Sequence, residues 1–236
     1  EVAKLKAYLA KGGKLMVLID PPQKADAPPM TNLIALLKDW SVDVGTNAVL
    51  DPMSQLRGTQ ADVPVAAQYP FHANTFRLLT AYPYVRSVKP IEGAPAGRTA
   101  TSIVMSGRNS WAESDLKRMT TEGSAEPNFD QGDVQGPISL AVAVSAPVEG
   151  ATPPPPADGP DANPNKPETR LVVVGDSDFA ANSVAGIPGN QDMFLNMVNW
   201  LAQQENLISV RARNPEDRRI TMTAGQDRMI FWFTIA

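Results

Sequence analysis

A chain of 236 residues with 43% hydrophobic side chains can enclose a real core. Its formal net charge of −4, with acids and bases interspersed, lacks the basic footprint of a nucleic-acid binder. With no cysteine there is no disulfide, thiolate metal site or cysteine nucleophile, and a single histidine, His72, excludes histidine-rich metal centres.

The chain opens inside a helical pattern, with no initiator Met and no secretory-type leader, and so reads as a piece of a longer polypeptide. Val2, Leu5 and Leu9 share one helical face, and Gly12-Gly13 after Lys11 suits a left-handed cap. Lys14–Ile19 is a buried-strand run that stops at Asp20-Pro21, where proline ends the ladder. Thr31 or Asn32 can cap a helix whose Leu33, Leu36, Leu37 and Trp40 form an i, i+3, i+4, i+7 stripe. A short strand, Ala48–Leu50, ends at a second Asp-Pro pair, Asp51-Pro52.

Met53–Asn74 reads as a long loop with Pro64 and Pro70 as breakers. Phe76–Tyr82 fits a short helix or a strand, Tyr84–Val88 a strand before Pro90, Gly93–Gly97 a turn, and Thr101–Met105 and Ile138–Val144 further strands. Pro147–Pro167 holds eight prolines, four of them consecutive, and reads as an exposed excursion between two core strands, the tip of an inserted hairpin. Leu171–Val174 is too continuously apolar for a half-exposed strand and suits one buried on both faces of a parallel sheet. It ends at Gly175, followed by Asp176-Ser177-Asp178 at the carboxyl edge, where open α/β sheets bind ligands.

Asn190 is a credible N-cap with Asp192 in the first turn, and Met193, Phe194, Met197, Val198 and Leu201 recur at helical spacing. Ile208–Arg213 and Arg219–Thr223 alternate as an edge pair or hairpin would. Met229–Ala236 is an apolar run that suits the first turns of a membrane helix, with Trp232 at the interface, or a final buried strand. The expected organisation is an α/β domain over 1–207 with its Pro-rich insertion at 147–167, a small β extension at 208–228 and the start of a membrane helix at 229–236.

Six stretches stand out in order and spacing: Leu5–Pro21 (LKAYLAKGGKLMVLIDP), Ser106–Ser114 (SGRNSWAES), Gly136–Val144 (GPISLAVAV), Val172–Asn182 (VVVGDSDFAAN), Gly189–Glu205 (GNQDMFLNMVNWLAQQE) and Arg218–Trp232 (RRITMTAGQDRMIFW). Together they resemble the gliding-motility-associated ABC-transporter auxiliary component family (GldG-like), whose soluble domain is related to the intraflagellar-transport-type domain. The resemblance implies a mostly parallel sheet flanked by helices, glutamine-amidotransferase-like in a flavodoxin-like three-layer arrangement, with the first strands lying before Glu1. It also implies a periplasmic domain at the bacterial inner membrane, anchored by a helix following residue 236 and working with ABC-transporter membrane and ATPase subunits. No cofactor is expected.

The chemistry available at the strand ends is limited by what surrounds it. Gly175-Asp176-Ser177 has the look of a serine-esterase opening, but a serine nucleophile needs a base and an orienting carboxylate, and only His72 could be that base. Amidotransferase chemistry fails for want of a cysteine. Asp20, Asp176 and Asp178, if brought together from adjacent strand ends, could hold Mg²⁺ or Ca²⁺. The same edge, using Asp20, Asp176, Ser177, Asp178 and Asn182, could recognise a small polar ligand or a partner peptide. The residues therefore favour a non-enzymatic binding domain, with a metal-dependent or serine hydrolase as the alternative and a scaffold without any site as a third reading. Asn196, Asn199, Trp111, Trp200 and His72 are expected to have structural roles.

Overall fold

The computed structural model describes residues 1–22, 28–70, 79–95, 97–122, 126–148, 150–151, 167–184 and 186–204. His72, most of the Pro-rich excursion, the 208–228 extension and the apolar run at 229–236 lie outside the described residues. Among the described residues, no helix is long and apolar enough to cross a membrane.

The main sheet is built from the apolar runs. Strands β1 (Lys14–Leu18), β5 (Thr99–Met105), β8 (Ser139–Pro147) and β9 (Glu168–Val174) lie in the order β1-β9-β8-β5. Among the described strands only β1 and β9 run parallel, in register from Lys14 opposite Arg170 to Leu18 opposite Val174. Both β8–β9 and β5–β8 are antiparallel, the latter with a bulge between Ser102 and Val104.

The expectation of a mostly parallel, glutamine-amidotransferase-like (flavodoxin-like three-layer) sheet is therefore overturned. The fold is mixed α/β and rich in antiparallel pairs. The physical reason lies around the Pro-rich stretch: the strands flanking it, β8 and β9, pair directly, with Pro147 opposite Glu168. An excursion that returns directly as a hairpin sets its second strand antiparallel to the first. A run such as Leu171–Val174 is fully buried in either setting, so its hydrophobicity reports burial and not direction.

Smaller antiparallel pieces complete the architecture. One joins β2 (Val42–Val44) to β4 (Val88–Pro90), and the other orders β3 (Ala48–Leu50), β6 (Trp111–Glu113) and β7 (Val134–Gln135) as β3-β6-β7. Strand β4 begins at Val88, where the expected Tyr84–Val88 strand ends, because Val88 to Pro90 face Val44 to Val42. Helices α1 (Val2–Ala10), α2 (Thr31–Asp39), α3 (Leu116–Glu122) and α4 (Pro188–Leu201) surround these strands.

Alternation along β9 divides the interior into two cores. Val172 and Val174 join Tyr82, Phe179, Met193, Met197 and Trp200 on the α4 side. Leu171 and Val173 join Val17, Ile19, Leu37, Val42 and Val88 on the α2 side.

The ends of the helices follow local chemistry that the sequence only partly reveals. Gly12 adopts φ +88°, the left-handed cap expected after α1. Neither Thr31 nor Asn32 caps α2; Met30 holds the N-cap position without a side-chain bond. Asn190 is likewise not the cap of α4. Ile187 is, with Pro188 in the first turn.

Asn190 instead lies buried, 2% exposed. Its Oδ1 accepts from Ala81 N–H at 2.9 Å, while its Nδ2 donates to the carbonyls of Ala81 and Phe179, each at 2.9 Å. One side chain thereby satisfies three buried backbone groups from two loops. Asn190→Ala leaves those groups unpaired and is expected to cost about 2–4 kcal/mol. Denaturant unfolding measures this, and an unchanged midpoint would show that the loops do not depend on it.

Candidate functional site

Parallel pairing of β1 and β9 brings their carboxyl ends together, and with them Asp20 and Asp176-Ser177-Asp178. The contact is direct. Ser177 N–H donates to Asp20 Oδ1 at 2.5 Å and Ser177 Oγ donates to Asp20 Oδ2 at 2.8 Å. Both carboxylate oxygens of Asp20 are thus engaged by one residue of the neighbouring strand end.

Asp176 turns the other way. It is fully buried, its Oδ1 accepts from Asp178 N–H at 2.7 Å, and its Oδ2 has no hydrogen-bond partner among the described residues. Burial, first, and then the neighbouring Asp20 and Asp178 carboxylates push its pKa up to about 8, against the pull of the Asp178 and Phe179 backbone amides. Asp178 and Asn182 are exposed and form the outer rim of the same strand end. The structure therefore brings together Asp20 and Ser177, holds Asp176 inside, and leaves Asp178 and Asn182 facing solvent. Asp20, Asp176 and Asp178 do not converge as ligands: among the described residues, no group of three or more carboxylate or histidine side chains is arranged to hold a metal ion.

A residue that the sequence reading missed organises this edge. Arg86 is 3% exposed, its backbone N–H donates to Gly175 O at 2.8 Å, and its Nε and one terminal nitrogen donate to Gly45 O at 2.6 Å and Asp20 O at 3.0 Å. The approach is close enough that a Cβ on Gly175 would lie 2.1 Å from Arg86 O, which accounts for glycine at the end of β9. Burial draws the guanidinium pKa down, while the Asp20 carboxylate, and to a smaller extent the Tyr84 phenol, act in the opposite direction. No local signal singles out Arg86, since a lone arginine before a strand usually faces solvent.

A second polar feature lies on the β3-β6-β7 side, a cleft of about 300 Å³ lined by Glu113, Asp115, Arg118, Asp133 and their neighbours. Its acids have internal duties. Buried Glu113 accepts from Asp115 N–H and pairs with Arg118 at 3.4 Å, and Asp133 accepts from Ser114 N–H, Ser114 Oγ and Asn128 N–H. Burial alone would raise the Asp133 pKa, but these bonds and the Arg118 charge outweigh it and hold the carboxyl below its usual range. An acid two residues after Trp111 in a short apolar strand was the available signal for Glu113. Nothing in the sequence pointed to Asp133. Trp111 and Trp200 are both buried, and Arg170 stacks over the Trp200 ring at 4.8 Å, so neither offers a carbohydrate platform.

A family model described as ABC-type uncharacterized transport system matches residues 1–204. A solved chain titled "mmIFT52 N-terminal domain" is similar in fold, with a TM-score of 0.52 and 13% identity, covering 90% of this chain and 72% of that one. At that identity the likeness is one of fold alone. No curated protein matches the chain.

The Asp20–Ser177 contact makes a graded prediction. Ser177→Ala leaves the backbone N–H on Asp20 and is expected to cost about 0.5–1.5 kcal/mol, whereas Asp20→Ala strands both Ser177 donors and is expected to cost about 2–3 kcal/mol. Equal losses in chemical unfolding would show that the serine hydroxyl carries the contact alone.

Proposed function

This chain belongs to the family described as ABC-type uncharacterized transport system, and from that membership we propose that it acts as a non-enzymatic, partner-binding domain on the extracytoplasmic side of a bacterial inner-membrane transport assembly. The observation that carries the binding reading is the state of the strand-end carboxylate. Asp20 spends both oxygens on Ser177, so the serine donates its proton to a carboxylate already fixed as a structural acceptor. A serine nucleophile requires a base to take its proton, and His72, the single histidine of the sequence, lies outside the described residues.

What the edge offers outward is Asp178 and Asn182, an exposed acid and an exposed amide on short 3₁₀ turns, Asp178–Ala180 and Asn182–Val184. Such a rim suits the cationic or hydrogen-bonding groups of a partner protein, and in this setting the partners are the membrane and ATPase subunits of the transport system. Attachment to the membrane is supported by the apolar sequence at 229–236, and the gliding-motility relationship by the ordered stretches shared with that family.

Capture from detergent-solubilised membranes tests this with the full-length protein. Wild type is expected to retain ABC-transport subunits, and Asp178→Lys combined with Asn182→Lys to retain roughly tenfold less, because reversed charge at a docking rim costs a tenfold or greater loss of association. Recovery of no transport subunit by the wild type would overturn the partner assignment. Undiminished capture by the folded variant would move the surface elsewhere, and fractionation of the full-length protein into the cytosol would overturn the location.

A further inference from the structure

Two polar atoms in the α4-side core have no hydrogen-bond partner among the described residues, Asp176 Oδ2 and Tyr82 Oη, and both residues are fully buried. An unpaired charge in such a place is far costlier than an unpaired neutral group. The groups around Asp176 make ionisation worse. The Asp20 carboxylate stands at the end of β1 and the Asp178 carboxylate lies on the same turn, while the loop between β3 and β4 brings Tyr82, with Tyr69 beside it, and α4 contributes Met193, Phe194 and Met197, none of them ionisable. Arg86, the buried cation at this edge, already gives its guanidinium to the carbonyls of Gly45 and Asp20.

The segment that Asp176 anchors is also the one that closes the core. Its Oδ1 holds Asp178 N–H at the start of the 3₁₀ turn Asp178–Ala180. Phe179 on that turn is stacked on Tyr82 at 5.4 Å between ring centroids and packs on Phe194 of α4 at 6.3 Å, and its carbonyl accepts from Asn190.

We propose that Asp176 is a proton-operated latch: the neutral carboxylic acid keeps the 176–181 segment seated between Tyr82 and α4, and loss of its proton releases that segment, together with the rim residues Asp178 and Asn182. The reading does not depend on which partner the rim meets. It uses two buried atoms and three carboxylates already in place.

The direction of the pH effect follows from linkage. The carboxyl's folded-state pKa is raised to about 8 from about 4 in the unfolded chain. The folded chain therefore holds a proton that the unfolded chain has lost, and the stability this confers is fully present below about pH 4 and disappears as pH rises to about 8.

The test compares wild type with Asp176→Asn, which keeps the shape and removes the charge. Thermal and chemical unfolding would run from about pH 5 to about pH 9.5 at fixed ionic strength, alongside the carboxyl-carbon NMR resonance of Asp176 and amide exchange at Phe179 and Ala180. The expected result is a resonance that titrates near pH 8 and a wild-type folding constant that falls, relative to the variant, by about tenfold per pH unit below that point. Amide exchange at Phe179 and Ala180 is expected to rise above that pH, beyond its intrinsic dependence, in the wild type alone. Titration of Asp176 below pH 5, or equal pH dependence of the two proteins, overturns the proposal. If the variant does not fold, the wild-type resonance and exchange decide it in the same terms.

Discussion

Arg86 sets the geometry on which the strand-end edge depends. Its backbone presses against Gly175 while its guanidinium crosses to the carbonyls of Gly45 and Asp20, so one residue fixes the ends of β1 and β9 and the turn between β2 and β3. Burying a guanidinium is costly unless its donors find acceptors, and here backbone carbonyls supply them. The loop that delivers it bends at Tyr84, which takes φ +52°, a value rare for a bulky side chain. Tyr84 is held there by its N–H on Asp62 O and its hydroxyl on Pro22 O. Without that clamp, Asp20 and Ser177 would share a strand end but have no reason to hold one orientation.

Much of the fold was legible where one residue pattern had one structural meaning. Lys14–Ile19, Ala48–Leu50 and Leu171–Val174 are strands because continuous apolar runs bounded by Gly or Asp-Pro have few other outcomes. The α2 and α4 stripes are helices for the same reason. What failed was direction. Val142 and Val173 pair antiparallel while Val17 and Val173 pair parallel, and nothing in a valine's neighbours distinguishes the cases. The composition of the excursion after Pro147 held the better clue, since a hairpin tip already implies antiparallel flanks. Strands β6 and β7, three and two residues long, are too short to show any period, and β2 was hidden by the polar Asp43 within it.

The strand-end site was legible in position and not in wiring. Two aspartates at the ends of two apolar strands are visible in the sequence; that one is bound on both oxygens by Ser177 while the other is sealed inside depends on Arg86 and Asn190, whose partners lie 41, 66 and 109 residues away. Sequence patterns report what a residue does to its own helix or strand. They are silent on a side chain that stands in for backbone in a distant loop. The likeness in fold to an intraflagellar-transport domain extends the shape of this chain to a distant protein without carrying its chemistry along, consistent with sites being grafted on shared scaffolds.

The pairing of β1 with β9 also governs the order in which the molecule can be made. Asp20 and Ser177 are separated by 157 residues, and among the described strands β1 joins the main sheet through β9. A chain growing from its amino end therefore carries Leu15–Leu18 without its β9 ladder until that late strand emerges, while β5 and β8 can already pair. Long-range pairing of this kind slows folding and leaves apolar strand surface uncovered in the interim. Among the described strands, the last to be synthesised is the one that joins β1 to the rest of the main sheet.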